Sequence, residues 1–278
     1  MGTTAHIVVL GDGRLLDHAV ARLADLEQRW SRFIPTSELC RLNANAGRPC
    51  VVSLDTRDVV ALAVQSWYTT GGLFDPTVLS AVKAAGYDRT FAEVSHAPPI
   101  AEHPTPGCAH IEVGTTTVTL PHGVGLDLGG IGKGYAADLI ATELLARGAR
   151  GACVNIGGDL RAVGDAPTED GWVVSVDHPL DPTQEAARIA VADGAVATTS
   201  RTKRTWGDPG RRHHHLVDPD TGTPARTRTA VVTVVADEGW RAETLAKAAF
   251  LGLPVDHAVT VTDDGIVHHA PALEAFLV

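Results

Sequence analysis

No stretch of the chain approaches the ~20 consecutive apolar residues a helix needs to cross a bilayer, so no membrane partner is expected. Cysteine is scarce. Cys40, Cys50, Cys108 and Cys153 form no C-x-x-C pair and no Cys/His zinc spacing. A disulfide framework and a structural zinc site are therefore not expected, and reduced, partly buried thiols are. Positive charge is in deficit as well. The net charge of −10 argues against nonspecific nucleic-acid binding, although a locally basic site can still hold an anion. The opening "MGTTAHIVVLGDG" lacks a charged segment followed by a long apolar run, so a secretory signal is not expected and a cytoplasmic location is. Internal repeats and low-complexity linkers are missing too.

What remains is an ordinary soluble composition, 44% hydrophobic and 20% charged, over 278 residues. That length allows a sizeable core. "AHIVVL" reads as a strand closed by the turn "GDG". Leu16, Val20, Leu23 and Trp30 recur with helical spacing, so 14–30 reads as an amphipathic helix. A second helix is expected over 55–70, with Asp55 as its N-cap, a third over 133–147 ending at Gly148, and a last one over 241–251. "HIEVGTTTVTLP" reads as a strand or hairpin and "GACVNIGG" as a buried strand. "WVVSVDHP", "RIAVADGAVATTS", "HHHLVDP" and "TAVVTVVAD" are further strand candidates. The Pro-rich stretch 97–106 reads as a mobile surface loop. Many strands are joined by short turns, which favours α+β over a doubly wound parallel sheet.

The densest chemical signal is "LDLGGIGKGYAADLI", Leu126 to Ile140, with four glycines and a lysine between two of them. Glycine lets backbone amides approach a ligand, and a helix starting just after such a loop aims unpaired N–H groups and a positive dipole end at it. Together these make an anion site. A P-loop would need G-x-x-x-x-G-K-[ST]; here Gly134 follows Lys133 and Asp127 stands at the first glycine position, so that reading fails. "GIGKGYA" only approximates a dinucleotide fingerprint, and Asp127 beside a pyrophosphate is repulsive without a cation. A tight strand-to-helix turn carrying an exposed lysine stays open on these residues alone.

The loop has company. "GGLFDPTV" (71–78), "VNIGGDL" (154–160) and "HHLVDPDTGTPA" (214–225) accompany it in order. Taken together, "FDPTV", "DLGG-x-x-KGYA-x-D", "N-x-GGD" and "H-x-x-DP-x-TG" resemble the FAD:protein FMN transferases, the ApbE-like flavin transferase family, from Met1 to about Gly252. The resemblance implies one α+β domain over 1–278, of mixed, largely antiparallel sheets with flanking helices and a FAD cleft between its halves. It implies transfer of FMN from FAD to a Ser or Thr hydroxyl of an acceptor protein, with AMP leaving and a metal ion, Mg²⁺, on the pyrophosphate. The acceptor of such enzymes carries a D-[ST]-G-[AS]-[ST] motif.

Residue by residue, the resemblance places Asp127, Gly129 and Lys133 at FAD, and the Gly130 carbonyl at the metal. Met1, Leu73, Phe74 and Asp75 match positions lining the flavin. Phe33 falls where relatives place a Tyr or Asn beside the isoalloxazine, where an aromatic ring can stack. Lys133 and His215 are the catalytic candidates; His215 either orients a phosphate or helps activate the incoming hydroxyl. Asn155 and Asp159 flank a glycine pair, and Asp159 either caps a turn or touches the ligand.

Two positions depart from the family pattern. "TSG" appears as Thr199-Ser200-Arg201, and the metal motif D-A-L-S-T reads Glu243-Thr244-Leu245-Ala246-Lys247. Glu243 can serve Mg²⁺ as Asp would, but a protonated Lys247 cannot ligate. Lys247 either takes the cation's place or lies exposed on its helix. Mg²⁺ is therefore an open expectation. The alternatives to transfer are a FAD-binding relative with little transferase activity and a FAD pyrophosphatase using water.

Overall fold

The computed structural model describes residues 2–181, 183–208, 210 and 212–278. Met1, expected to line the flavin, lies outside them. The chain runs β1 (Ala5–Leu10), α1 (Arg14–Trp30), α2 (Glu38–Ala44), β2 (Pro49–Val51), α3 (Leu54–Thr69), α4 (Leu79–Ala84), β3 (Glu112–Val113) and β4 (Thr117–Thr119). It continues through α5 (Gly132–Ala146), β5 (Gly151–Ile156), β6 (Asp159–Gly164), β7 (Trp172–Asp177), β8 (Glu185–Val191) and β9 (Gly194–Ser200). The remainder is β10 (Thr205–Trp206), β11 (His213–His214), β12 (Val217–Asp218), β13 (Thr223–Pro224), β14 (Thr229–Ala236), α6 (Gly239–Phe250), β15 (Ala258–Thr262) and β16 (Val267–His269). The expected α+β class with antiparallel sheets holds.

The chain forms two units. One comprises Thr3–Asp25, Lys133–Ser200 and Thr227–Val278. Its centre is a seven-stranded sheet in the order β1-β5-β6-β9-β14-β15-β16, antiparallel throughout. Strand β14, "TAVVTVVA", is apolar on both faces and buried along nearly its whole length, as a central covered strand must be. Helix α6 packs on β9 and β14, and α5 buries Ala136, Ala137, Ile140, Ala141 and Leu144 completely. Between β5 and β6 the chain reverses through Gly157 and Gly158, with φ of +67° and +99°. A two-residue hairpin turn with both φ values positive favours glycine, and this one makes Asp159 the first residue of β6.

The other unit comprises residue 2, Leu26–Gly132 and Arg201–Arg226. Its strands are short: a β2-β4-β3 sheet and the hairpins β10-β11 and β12-β13. Helix α3 is capped by Ser53, whose hydroxyl accepts the Thr56 N–H at 3.3 Å; Asp55, the expected cap, sits in the first turn instead. Helix α2, unanticipated from periodicity, has only seven residues and is capped by Ser37. Phe33, Phe91, Tyr87 and Trp206 gather on Ala81, Val82 and Ala85. The stretch 97–106 has no regular structure, but backbone bonds pin it. His103 N–H donates to the Thr221 carbonyl at 2.8 Å and Thr105 N–H to that of Pro219 at 2.9 Å. A Cβ on Gly222 would lie 1.9 Å from the His103 carbonyl oxygen, so the "DPDTG" turn admits only glycine there.

Candidate functional site

In the unit built on the seven-stranded sheet, four charged side chains meet. Lys133 lies in the first turn of α5. Its ammonium is 2.8 Å from Asp159 Oδ2 and also bonded to Glu243 Oε1, a partner 110 residues along the chain. Lys247, one turn beyond Glu243 on α6, places its ammonium 3.2 Å from the same Oε1. Glu243 is fully buried and Asp159 nearly so. Burial works against the Lys133 charge, but Asp159 and Glu243 outweigh it and hold the ammonium above the usual lysine range. Burial likewise opposes the Glu243 charge, and the two lysines hold its carboxyl far below the usual range. For Lys247 burial prevails and lowers the pKa, with Glu243 opposing.

The helices carrying these residues are locked by reciprocal caps. Glu243 Oε2 accepts the N–H of Gly134 at 2.9 Å, one of the donors that the first turn of α5 leaves unpaired. In return Asp138 of α5 accepts the N–H groups of Gly239 and Trp240 at 2.7 and 2.9 Å, capping α6, whose own N-cap residue Glu238 makes no side-chain cap bond. The helices touch backbone to backbone at this point. A Cβ on Gly134 would stand 2.2 Å from the Gly239 carbonyl oxygen. So Gly134, read in sequence as part of an anion loop, is required at least as much for helix contact. Asp159 Oδ1 accepts the Thr198 N–H of the neighbouring strand β9 at 3.1 Å while Oδ2 holds Lys133. Asn155 Oδ1 accepts the Gly158 N–H at 2.9 Å and shapes the hairpin turn.

In the other unit a second group forms. Asp127 Oδ1 accepts the Gly129 N–H at 2.8 Å, and Oδ2 is 3.0 Å from Arg32 Nε. The Arg32 guanidinium lies 4.1 Å from the Phe33 ring centroid and 4.4 Å from that of Tyr87. Asp75 is buried and accepts from Thr77 Oγ1 at 2.6 Å and Thr105 Oγ1 at 2.5 Å. Phe74 is buried, with its N–H on Thr70 Oγ1 at 3.0 Å, while Leu73 is half-buried beside it. Gly129 and Gly130 form a turn just ahead of α5. His215 is half-buried where the chain passes from β11 to β12. Its neighbour His214 is a structural residue: Nδ1 accepts the Leu216 N–H at 3.3 Å and Nε2 bonds the Ala225 carbonyl at 3.1 Å. Burial pulls its pKa down to about 4. His213 bonds the Ala85 carbonyl at 3.0 Å.

The ApbE family model matches residues 1–267. The chain belongs to the ApbE family. A FAD:protein FMN transferase of Haemophilus influenzae is 29% identical, with 95% of this chain and 81% of that protein covered. The crystal structure of the ApbE protein from Thermotoga maritima superposes with a TM-score of 0.88 at 26% identity, covering 99% of this chain and 96% of that one. Flavin transferase ApbE from Vibrio cholerae superposes with a TM-score of 0.81 at 25% identity, covering 100% and 96%.

ApbE family resemblance led to Asp159, Lys133, Glu243 and Lys247, which meet in one cluster, and to Phe33 and Asp127, which share Arg32. It did not lead to Arg32, Tyr87 or Gly239, and it gave no role to Asp138, the last residue of "DLGG-x-x-KGYA-x-D". The one available hint of Arg32 was chemical: Asp127 beside a pyrophosphate calls for a cation. Glu243, which the family pattern places at the metal, is fully engaged by this chain's own donors. Oε1 of Glu243 takes both ammonium groups and Oε2 takes an amide. Among the described residues, no three His, Cys, Asp or Glu side chains gather as metal ligands.

Proposed function

We propose that this chain is a FAD:protein FMN transferase that cleaves FAD, passes FMN to a Ser or Thr hydroxyl of an acceptor protein and releases AMP. The observation that carries the reading is the half-buried Lys133, kept charged by two carboxylates at the N-terminus of a helix that follows a glycine loop. In the transfer, the acceptor oxygen forms a bond to the FMN phosphorus as the bond to the AMP oxygen breaks. Negative charge builds on the phosphoryl oxygens and is met by a fixed ammonium and backbone donors. In this reading Lys133 is that ammonium, and His215 orients the phosphate or takes the hydroxyl proton. Asp127, Gly129, Gly130, Leu73, Phe74, Asp75 and Phe33 serve FAD binding, with Asn155 and Asp159 shaping the lysine side.

The finer reading concerns the cation. The Lys247 ammonium supports a site in which fixed lysines, rather than Mg²⁺, neutralise the pyrophosphate. One ammonium supplies less charge than Mg²⁺ and has no open coordination position, so FAD retention survives the exchange better than transfer does. This favours, as a second reading, a FAD-binding relative with slow transfer.

The test is incubation with FAD and a domain bearing a D-[ST]-G-[AS]-[ST] motif, with chromatography for AMP and mass spectrometry of the acceptor. Stoichiometric AMP and an acceptor heavier by FMN support transfer. AMP with free FMN makes the protein a pyrophosphatase. FAD retention with no AMP leaves the binding relative.

A further inference from the structure

Arg32 is an unusual residue to find buried. Its side chain is only 6% exposed. Its Nε is spent on Asp127, and its guanidinium is held near two rings, Phe33 and Tyr87. Nη2 is buried with no hydrogen-bond partner. A guanidinium carries five N–H donors in a fixed plane, and an unsatisfied buried donor in a native fold calls for an explanation. Leaving one idle is destabilising, because its desolvation is not repaid. Asp127, the loop carboxylate whose charge a pyrophosphate would resist, is neutralised by this contact.

We propose that Arg32 is a flavin-binding residue whose Nη2–H donates to a carbonyl oxygen of the isoalloxazine ring. The inference rests on the FAD-binding reading above and adds to it a residue that determines which part of the ligand is recognised. A carbonyl is favoured over a phosphate by charge. The Arg32–Asp127 pair is neutral as a whole, so it offers one directed donor rather than a net positive field. The surroundings are aromatic and planar, suited to a ring. Phe33 is half-exposed and Tyr87 buried, so Phe33 is the outer ring of the two.

The test uses the full chain as wild type, Arg32→Lys and Arg32→Met, titrated calorimetrically with riboflavin, FMN, FAD and ADP. Lys keeps a charge beside Asp127 but lacks the planar fork; Met keeps the bulk alone. Near-UV circular dichroism checks the fold, and the conservative Arg32→Lys variant is the one on which the claim stands. Losing a charge-assisted bond predicts that riboflavin, FMN and FAD all weaken by about ten- to a hundredfold, while ADP is unchanged. The absorption bands of the bound flavin should also shift between wild type and Arg32→Lys, which a merely structural role would not produce. Losses confined to FMN, FAD and ADP would mean a phosphate contact and overturn the assignment. So would unchanged flavin affinity and spectrum in both variants. If the wild type itself binds no flavin, it is the FAD-binding reading that fails, a result separate from any variant.

Discussion

The two charged groups of this protein solve opposite problems. Around Lys133 two cations and two anions close on one another, and both helix N-termini are capped by the neighbouring helix. Around Arg32 there is one cation, one anion and a donor left over. The first group is built by backbone contact. Gly134 and Gly239 bring α5 and α6 so close that the carboxylates must find partners on the opposing helix. The second is built from side chains stacked on aromatic rings, and one of those rings remains half-exposed. A closed set of charges fixes geometry; an open one recognises.

Breaking the closed set should have the largest effect. Glu243→Ala removes the buried carboxylate shared by two half-buried ammonium groups and the cap of α5. A loss of about 3–5 kcal/mol is expected in denaturant unfolding, as for a buried pair deprived of one member. Gly134→Ala should come next, at about 1–3 kcal/mol, because its Cβ meets backbone rather than a flexible side chain. A stability equal to wild type would show that α5 and α6 separate freely.

The pH response should separate the units by sign. His214 has its folded pKa lowered from 6.5 to about 4, so the unfolded chain binds the extra proton between those values. Its contribution is present above pH 6.5 and is lost as pH falls towards 4. His214→Gln should flatten that slope, by an amount of order 1–3 kcal/mol. Asp138 runs the other way. Burial raises its carboxyl from 3.8 to about 7, and the folded state holds the proton. Its contribution therefore declines as pH rises from about 4 to 7. Thermal melts of His214→Gln and of Asp138→Asn across pH 4–8 check both signs. The same slope change in both variants would contradict the comparison.

The smallest expected effect is at the open group. Phe33→Ala should weaken FAD by about 1 kcal/mol beyond the lost area, if the ring stacks on the flavin. It should also brighten bound-flavin fluorescence. Unchanged affinity and emission would place Phe33 with the aromatic core alone.

Most of the secondary structure was legible in the sequence: α1 carries clear periodicity, β14 a continuous apolar run, and α5 is bracketed by its glycine loop and Gly148. The pieces that escaped are short or end-determined. Helix α2 spans seven residues and rests on its Ser37 cap, and α3 begins at Ser53 rather than Asp55. Resemblance to the ApbE family named Lys133, Asp159, Glu243 and Lys247 individually. It gave no sign that Lys133 and Glu243 bind each other, since no local spacing encodes a contact between residues on different helices. The Arg32–Asp127 pair was hidden for the same reason, although the chemistry of Asp127 asked for a cation. Glycines 134 and 239 carried two meanings that a sequence does not separate: room for a ligand and room for a helix.

The account stands most directly on whether the lysines do the work of a metal. FAD titrated calorimetrically into wild-type protein, once with a chelator and once with excess Mg²⁺, measures this without reference to turnover. The account predicts the same dissociation constant in both, with Mg²⁺ dependence appearing only in Lys247→Thr. FAD binding by the wild type that requires Mg²⁺ would contradict it.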